Sequence, residues 1–533
     1  MIQTQRSTRG MAVAPHALAS QSALAVLRDG GNAIEAMVAA AATISVVYPH
    51  MNGIGGDAFW LIVPPGNVEP IAIDAAGPAA SRATQAFYTE QGFSEIPMRG
   101  PLSMNTIAGA IGSWDVALKV SQQRGGAMPL KRLLVDAINY AADGMPITAS
   151  QAAATQAKFG ELAHLPGFAE RFLAEGKVPT TGMRFRQPRL AEFMTHLAEE
   201  GLDSFYRGAI AEMLAQDLAA VGSPISLADL NNFSARACTP LQLDLGVGRV
   251  FNMVPPTQGT VSLAILGLLE RTGIRDVAPD SADYVHLCVE ATKQAFLELR
   301  DRYLTDPMYM NVDAQSLLAS SQLDALAANI DPNRALPWGG DSKTGDTIWM
   351  GVIDSDGLAV SFIQSVYHEF GSGIVLPQSG INWQNRGASF SLDPKHLLAL
   401  QPGKKPFHTL NPAAARLADG RTMVYGTMGG DGQPQTQAAV FSRAIWFGQP
   451  LQQAVSSPRW LLGRTWGQPS VSLKLESRFS PALVADLRKR GHDVELLDDW
   501  DETVGHAGAI VRSPDGILEG AADPRSDGGV AAW

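Results

Sequence analysis

The sequence predicts a compact α+β protein with a large core, in which at least some strands are covered on both faces. Hydrophobic residues make up 46% and charged residues 17% of the 533 positions, a balance typical of globular proteins. Stretches with helical periodicity occur beside short runs that are apolar at nearly every position, which indicates strands buried on both sides. The length suits two or three ordinary domains or one large layered domain.

Charge and cysteine content exclude several classes of partner and cofactor. A net charge of −11 disfavours nucleic acid or an anionic membrane, because basic patches drive those contacts. Cys238 and Cys288 are too few and too far apart for a disulfide framework or a zinc site. The chain offers no His-Glu-x-x-His, so we expect neither a metal nor a cofactor. Because we find no apolar signal segment and no apolar stretch near ~20 residues, we expect a cytoplasmic protein.

The first clear element is a helix that begins after Asn32. Asn32 and Glu35 have the spacing of a capping box, and the alanine-rich run that follows favours a helix ending before Pro49. A glycine-rich loop at 52–57 then leads into a short apolar strand at 58–63. The loop lacks the Lys-Ser/Thr of a phosphate-binding loop, so we interpret it as tight packing or as part of a site wall.

Helical sequence dominates residues 129–218, and a second clear helix covers Ala282 to Leu304. Its apolar residues repeat at intervals of three and four, Ser281 can cap it, and a proline lies just beyond its end. Cys288 falls on the apolar stripe of this helix. We therefore expect a buried structural thiol there.

The amino-acid composition changes abruptly near residue 346, and this is the most informative part of the chain. Residues 337–346 are rich in Gly, Asp, Ser and Thr, which predicts an exposed, flexible loop. The apolar runs 347–353 and 358–366 follow, separated by a four-residue turn that ends in Gly357, and this pattern predicts a β-hairpin. A flexible loop that ends at a buried strand is a place where the chain can be cut without loss of the core.

The hairpin places hydroxyl groups near one another at the start of its first strand. A turn centred between Ser355 and Asp356 puts Thr347 opposite Gln364 and beside Ser365. A threonine hydroxyl needs a base, and cleavage before Thr347 would supply one, an α-amino group with a pKa near ~7.7–8.0. On this pattern alone, an ordinary strand threonine is the simpler interpretation.

Short motifs spread along nearly the whole chain carry a family resemblance. They lie, in order, at 11–15, 29–33, 52–57, 290–307, the hairpin that opens at Thr347, 370–373, 428–430 and 523–525. In this order they resemble the motifs of the γ-glutamyltranspeptidase family, which belongs to the N-terminal nucleophile (Ntn) hydrolases.

The resemblance implies a fold and a self-processing step. The fold would be a four-layer αββα sandwich, one catalytic domain built from a large piece, 1–346, and a small piece, 347–533. Cleavage would fall between Asp346 and Thr347, and Thr347 would be both the processing residue and the nucleophile. Ser365 stands where the family has a threonine whose hydroxyl assists the nucleophile. The mature protein would be a heterodimer of its own two pieces, or a dimer of such heterodimers.

Gly429 and Gly430 follow an apolar strand at 423–425. Consecutive glycines let backbone N–H groups approach a substrate closely. By resemblance the pair would form the oxyanion hole; without it, a glycine pair in a plain turn would be the simpler interpretation.

The chain departs from the family where glutathione-cleaving members hold the γ-glutamyl group. Ala76 replaces the arginine that binds its carboxylate, and Ser389 replaces the aspartate that binds its ammonium group. Tyr367 replaces an asparagine, and His408-Thr409 replace two adjacent serines. A buried substrate charge without a partner costs several kcal/mol. The pattern therefore argues for an acylase or small-amide hydrolase instead.

Arg386 is a new candidate for substrate recognition, because a guanidinium can bind a carboxylate through two hydrogen bonds. His408 and Tyr367 could add hydrogen bonds, and the bulk of Tyr367 should shrink the glutamyl pocket. An internal salt bridge for Arg386 and a structural role for His408 remain open alternatives. A small pocket with one cation suits a short acid amide, with oxamate a better guess than the large substrates of cephalosporin acylases.

Two other functions stay open from the sequence. A glutathione hydrolase or transpeptidase would need another arginine and aspartate to rebuild the two clamps. A non-catalytic binding protein would keep the fold and remain a single chain.

Overall fold

In the described part of the chain, two antiparallel sheets of seven strands each stack face to face, with helices on their outer sides. The computed structural model describes residues 3–339, 346–463 and 470–533. The strands are β1 (Gln5–Ser7), β2 (Gly10–Ala14), β3 (Asp57–Val63), β4 (Ile71–Ala75), β5 (Met145–Pro146), β6 (Arg184–Phe185), β7 (Arg236–Cys238), β8 (Leu241–Leu245), β9 (Gly248–Asn252), β10 (Asp346–Asp354), β11 (Ala359–Tyr367), β12 (Ala413–Leu417), β13 (Thr422–Thr427), β14 (Trp460–Leu462), β15 (Leu473–Glu476), β16 (Val494–Leu497), β17 (Ala507–Arg512), β18 (Leu518–Ala522) and β19 (Gly529–Ala532).

The α-helices lie between groups of these strands along the chain. They are α1 (Ala17–Arg28), α2 (Ala33–Val47), α3 (Gln85–Thr89), α4 (Ala110–Gln122), α5 (Leu130–Asp143), α6 (Ala149–Leu162), α7 (Phe168–Phe172), α8 (Pro188–Glu200), α9 (Ala209–Val221), α10 (Leu227–Asn232), α11 (Gly259–Arg271), α12 (Ala282–Ala295), α13 (Asp301–Tyr303), α14 (Ser320–Ala327), α15 (Gly432–Phe441), α16 (Leu451–Ser456) and α17 (Pro481–Lys489).

Strands from before and after Asp346 share both large sheets. The first sheet has the order β1-β18-β17-β13-β12-β9-β8, and the second has the order β19-β2-β10-β11-β3-β4-β7. The hairpin β10-β11 lies in the middle of the second sheet. A cut before Thr347 would therefore leave two pieces whose strands are interleaved by hydrogen bonds.

Three apolar layers hold the sandwich together. Side chains such as Phe59, Trp349 and Val424 fill the space between the two sheets. Helices α1, α2 and α4 pack on the second sheet, with α5 outside α2, and α11, α15 and α16 pack on the first, with α12 against α11 and α15. The central strands are thus buried on both faces, as their uninterrupted apolar sequences predicted. The four-layer αββα arrangement expected from the family resemblance is confirmed.

Helix α2 runs behind the hairpin and is buried along its whole length. Asn32 caps it by accepting hydrogen bonds from the N–H groups of Ile34 and Glu35, and Glu35 accepts one from the Asn32 N–H, so the predicted capping box is confirmed. The helix ends at Val47, before Pro49.

The helix predicted over 282–304 is present but contains a wider turn. Ser281 caps α12 through the N–H of Tyr284, and the chain then passes through a π-helical turn, Phe296–Arg300, into α13. Cys288 is buried, as expected. Helices α5 to α9 account for the helical region predicted at 129–218.

No helix in the described ranges combines the length and apolar character needed to cross a membrane.

Candidate active site

The hairpin β10-β11 is confirmed, with a register one residue away from the predicted one. Ile348 pairs with Gln364, whereas the sequence prediction placed Thr347 there. The cause is the turn: the Asp354 carboxylate accepts the N–H of Leu358 at 3.0 Å, which draws Leu358 out of the strand and into the turn. The correction moves Thr347 closer to its predicted neighbour, Ser365.

The pairing also shifts at the very start of β10. Asp346 pairs with Tyr367 and Ile348 pairs with Gln364, so two residues of β11, Ser365 and Val366, lie opposite the single residue Thr347. The extra residue forms a β-bulge in β11. Thr347 is fully buried. Residues 340–345 of the predicted loop lie outside the described residues.

Ser365 connects the hairpin to its other neighbour in the sheet. It pairs with Asp57, the first residue of β3, and its hydroxyl oxygen accepts the N–H of Tyr367 at 2.8 Å. Tyr367 has a φ of +85°, which is unusual for a residue with a side chain. Strained backbone of this kind collects at functional sites, and here it occurs where the hairpin ends.

The glycine pair lies at the same end of the sandwich as Thr347. Gly429 and Gly430 have φ values of +117° and +50°, a region that favours glycine. They follow β13 in the opposite sheet. Gly426 on that strand packs so closely on Trp349 that a Cβ would lie 2.2 Å from the indole ring. Since Trp349 is two residues beyond Thr347, the glycine turn faces the start of β10.

Two buried contacts hold this turn in place. The Gln258 side-chain N–H₂ donates to the carbonyl oxygens of Gly430 and Thr409, both at 2.9 Å. The buried carboxylate of Asp431 pairs with Arg300 at 2.9 Å. Arg300 is the last residue of the π-helical turn after α12, so this turn contributes one partner of the ion pair.

Within the described ranges, Arg386, the predicted substrate-binding cation, is buried without a hydrogen-bond partner. Only 1% of its surface is exposed, yet Nε, Nη1 and Nη2 have no hydrogen-bond partner among the described residues. Its Cζ lies 4.1 Å from the centre of the Tyr367 ring. Burial lowers its pKa to about 10, so the group stays charged at neutral pH. The internal salt bridge considered in the sequence analysis is not found in the described part of the chain.

His408 is fully buried and faces an aspartate that the sequence analysis did not select. Its Nε2 lies 3.2 Å from Oδ2 of Asp57. Burial, followed by the nearby charge of Arg386, lowers the pKa of His408 to about 4, so the imidazole is neutral at pH 7. The available signal for Asp57 was a carboxylate at the junction of a glycine-rich loop and a buried strand.

The remaining predicted residues surround these groups. Ser389 ends the short 3₁₀ turn that begins at Arg386, and Oγ of Ser389 and Oγ1 of Thr409 are buried without a partner among the described residues. Ala76 is buried and offers no charge. Ser389 also lines a cleft of about 360 Å³ together with Asp431. Asp431 directly follows the glycine pair in the chain, so the cleft lies beside the glycine turn.

One group in the described part of the chain has the composition of a metal site. His286, Glu290 and His492 bring ligand atoms within 4.8 Å of one another beside α12. These atoms already have protein partners: Nδ1 of His286 lies 2.8 Å from Nε2 of His492, and Glu290 accepts from Lys293 Nζ and Leu336 N. The Lys293 ammonium group forms an ion pair with the Glu290 carboxylate, which a metal would need as a ligand.

Fold and site together define an Ntn-type hydrolase architecture, and the comparisons place it in a family. The chain belongs to the γ-glutamyltranspeptidase family, whose model matches residues 19–533. It is 62% identical over 528 residues to the oxamate amidohydrolase proenzyme of Klebsiella pneumoniae, covering 99% of both chains. It is 39% identical to the glutathione hydrolase-like YwrD proenzyme of Bacillus subtilis, covering 98% of both. A cephalosporin acylase structure from Bacillus halodurans superposes with a TM-score of 0.90 at 32% identity, covering 100% of this chain and 97% of that one.

Proposed function

We propose that this chain is a proenzyme that cuts itself between Asp346 and Thr347 and then hydrolyses oxamate to oxalate and ammonia. The single observation that carries the substrate assignment is the buried Arg386 guanidinium, whose N–H groups have no partner among the described residues. A buried charge needs a counter-charge, and a small carboxylate is the partner that suits a guanidinium best. The relative named for this activity is 62% identical to the chain.

The reaction uses the new N-terminus as its base. The α-amino group of Thr347 takes the hydroxyl proton while the oxygen attacks the amide carbon. Backbone N–H groups at Gly429 and Gly430 stabilise the oxyanion. The carbon–nitrogen bond breaks, the nitrogen leaves as ammonia with the proton from the α-ammonium group, and an oxalyl ester remains on Thr347. Water then hydrolyses the ester by the same base. Ser365 lies across from Thr347 and supports its hydroxyl.

Specificity follows from the charges that line the pocket. A γ-glutamyl group brings both a carboxylate and an ammonium, whereas Ala76 and Ser389 leave the family's two clamps empty. Oxamate brings one carboxylate next to the scissile amide. Arg386 binds that carboxylate, and Tyr367 closes the space that a longer acyl chain would occupy.

Activity on a panel of amides tests the proposal. The processed wild type should release ammonia from oxamate and act poorly on glutathione and γ-glutamyl anilides. Arg386→Met should lower kcat/KM for oxamate by roughly ten- to thousandfold, because a desolvated charge-assisted contact is lost. Arg386→Lys keeps the positive charge but cannot make the paired hydrogen bonds of a guanidinium, so its kcat/KM should lie between those of the wild type and Arg386→Met.

Two results would contradict this assignment. Efficient cleavage of glutathione by the wild type would restore the activity usual in the family. An Arg386→Met enzyme as active on oxamate as its parent would remove Arg386 from the site.

A further inference from the structure

Asp57 and His408 form a buried pair that none of the catalytic steps above uses. We propose that Asp57 holds the proton of His408 on Nε2, so that Nδ1 is an acceptor for an N–H of the scissile amide. The enzyme would then select amides that carry a hydrogen on the leaving nitrogen. This inference rests on the proposed function and extends it to the leaving group.

The hydrogen bonds of Asp57 fix which of its oxygens faces the histidine. Its Oδ1 accepts three hydrogen bonds, from Gly77 N at 3.1 Å, Gly109 N at 2.9 Å and Gln384 Nε2 at 3.1 Å. Its Oδ2 lies 3.2 Å from Nε2 of His408. A carboxylate only accepts, so Nε2 carries the hydrogen and Nδ1 of the neutral ring is a bare acceptor.

Neither ring nitrogen of His408 makes a full hydrogen bond among the described residues, although the ring is fully buried. Nε2 is the nitrogen that lies 3.2 Å from Oδ2 of Asp57, which also has no other partner there, and this contact leaves Nδ1 as the open acceptor. Phe59 packs on the ring, with the two centres 4.9 Å apart, and the backbone N–H of His408 donates to Pro256. The ring is therefore fixed, and its open acceptor is costly unless a ligand or water fills it.

The pair lies between the parts that perform the chemistry. On one side, Asp57 pairs across the sheet with Ser365, which lies across from Thr347. On the other side, Gln258 joins the residue after His408 to Gly430.

Oxamate presents three groups that this arrangement distinguishes. Its carboxylate suits Arg386, its carbonyl oxygen suits the N–H groups of the glycine turn, and its NH₂ needs an acceptor. Nδ1 of His408 supplies that acceptor and orients the nitrogen so that its lone pair can take the proton of the α-ammonium group as the carbon–nitrogen bond breaks. His408 takes up no proton in this step, so it is a specificity-determining residue and Asp57 a positioning residue.

Asp57→Asn tests the tautomer directly. The amide oxygen of asparagine can keep the three donors, while its N–H₂ faces Nε2 and forces the His408 proton onto Nδ1. The two substrates to compare are oxamate, an amide, and monoethyl oxalate, an ester. The leaving group of the ester has no N–H. We expect kcat/KM for oxamate to fall roughly hundredfold or more, while the ester value changes by less than about threefold. His408→Asn, which offers an amide oxygen in place of Nδ1, should retain more amide activity than His408→Leu.

Asp217→Asn is the matched control. Asp217 is also fully buried and accepts hydrogen bonds from Gln378 and Ser379 without facing a histidine. It should leave the amide-to-ester ratio unchanged.

The outcomes separate this inference from the proposed function. An amide-to-ester ratio of kcat/KM that Asp57→Asn leaves unchanged, either because both values fall equally or because neither falls, would overturn the inference. The proposed amidase activity would still stand. A fully processed wild type that hydrolyses neither oxamate nor the ester would overturn the proposed function itself.

Discussion

The guanidinium of Arg386 stacks on the Tyr367 ring, with its carbon 4.1 Å from the ring centre. Arg386 begins the 3₁₀ turn Arg386–Ser389, and Tyr367 ends β11 with a positive φ. This contact leaves the guanidinium N–H groups without a hydrogen-bond partner among the described residues. In the proposed function, this cation binds the carboxylate of the substrate.

Replacing the ring should weaken substrate binding. Tyr367→Leu should raise KM for oxamate roughly tenfold, because a desolvated cation–π contact is worth ~2 kcal/mol. Tyr367→Phe keeps the ring and should stay within about threefold of wild type if stacking is the main role. Steady-state kinetics of the two variants decides this, and a normal KM in Tyr367→Leu would exclude the stacking role.

Loss of the ion pair under the glycine turn should affect the rate more than binding. In Asp431→Asn the turn loses its contact with Arg300, so the proposed oxyanion donors are held less firmly. We expect kcat to fall roughly tenfold with KM little changed, since such donors act mainly in the transition state. Urea unfolding of the same variant controls for stability. A raised KM with normal kcat would instead place Asp431 in substrate binding.

The proposed chemistry needs no metal, because the α-amino group of Thr347 is its base. Dialysis of the processed enzyme against a chelator should leave the rate of ammonia release unchanged. His492→Gln, which alters the buried group formed with His286 and Glu290, should lower stability more than kcat. A loss of activity on dialysis that zinc or manganese restores would contradict the mechanism.

Buried histidines should make the protein sensitive to acid. Burial is the main cause that lowers the pKa of five of them to about 3 or 4, well below the usual 6.5: His16, His50, His408, His492 and His506. Between about pH 4 and 6.5 they are neutral when folded and protonated when unfolded, so stability falls as the pH falls. Burial raises the pKa of Glu502 to about 7, so this group is protonated when folded and releases its proton on unfolding. It therefore offsets the uptake of one proton by the histidines.

Unfolding at pH 5.5 should therefore take up about four protons, each worth ~1.4 kcal/mol per pH unit. The slope of unfolding free energy between pH 5 and 6 measures this number. A stability that is flat or rises on acidification would show that the histidines are not buried in their neutral form.

Local patterns predicted the single elements well. The capping box of Asn32 and Glu35 lies within one turn of helix, and the hairpin around Gly357 needs only its two strands and a turn. Such signals depend on neighbours in the sequence, so they can be recognised there. The hairpin pattern and the family resemblance together identified Thr347 and Ser365 as candidates. Arg386 was identified by comparison with the residues that bind substrate in the family.

The parts that the sequence did not predict depend on contacts between distant segments. The one-residue register error came from a side-chain hydrogen bond of Asp354. Because side chains alternate between the two faces of a strand, an error of one residue changes every cross-strand pair. The order of strands in each sheet is a long-range property. Asp57 was missed because its role depends on His408, which is far away in the chain.

The central claim is that Thr347 becomes the first residue of a mature chain and acts as its nucleophile. Intact mass measurement under denaturing conditions, with N-terminal sequencing of the smaller chain, tests it most directly. We predict chains of 346 and 187 residues, which together make up the 533 of the precursor, with the smaller one beginning at Thr347. Thr347→Ala should remain a single inactive chain of 56.6 kDa, and Thr347→Ser should still cleave slowly. A smaller chain that begins at another residue, or a Thr347→Ala protein that is fully processed and active, would contradict the claim.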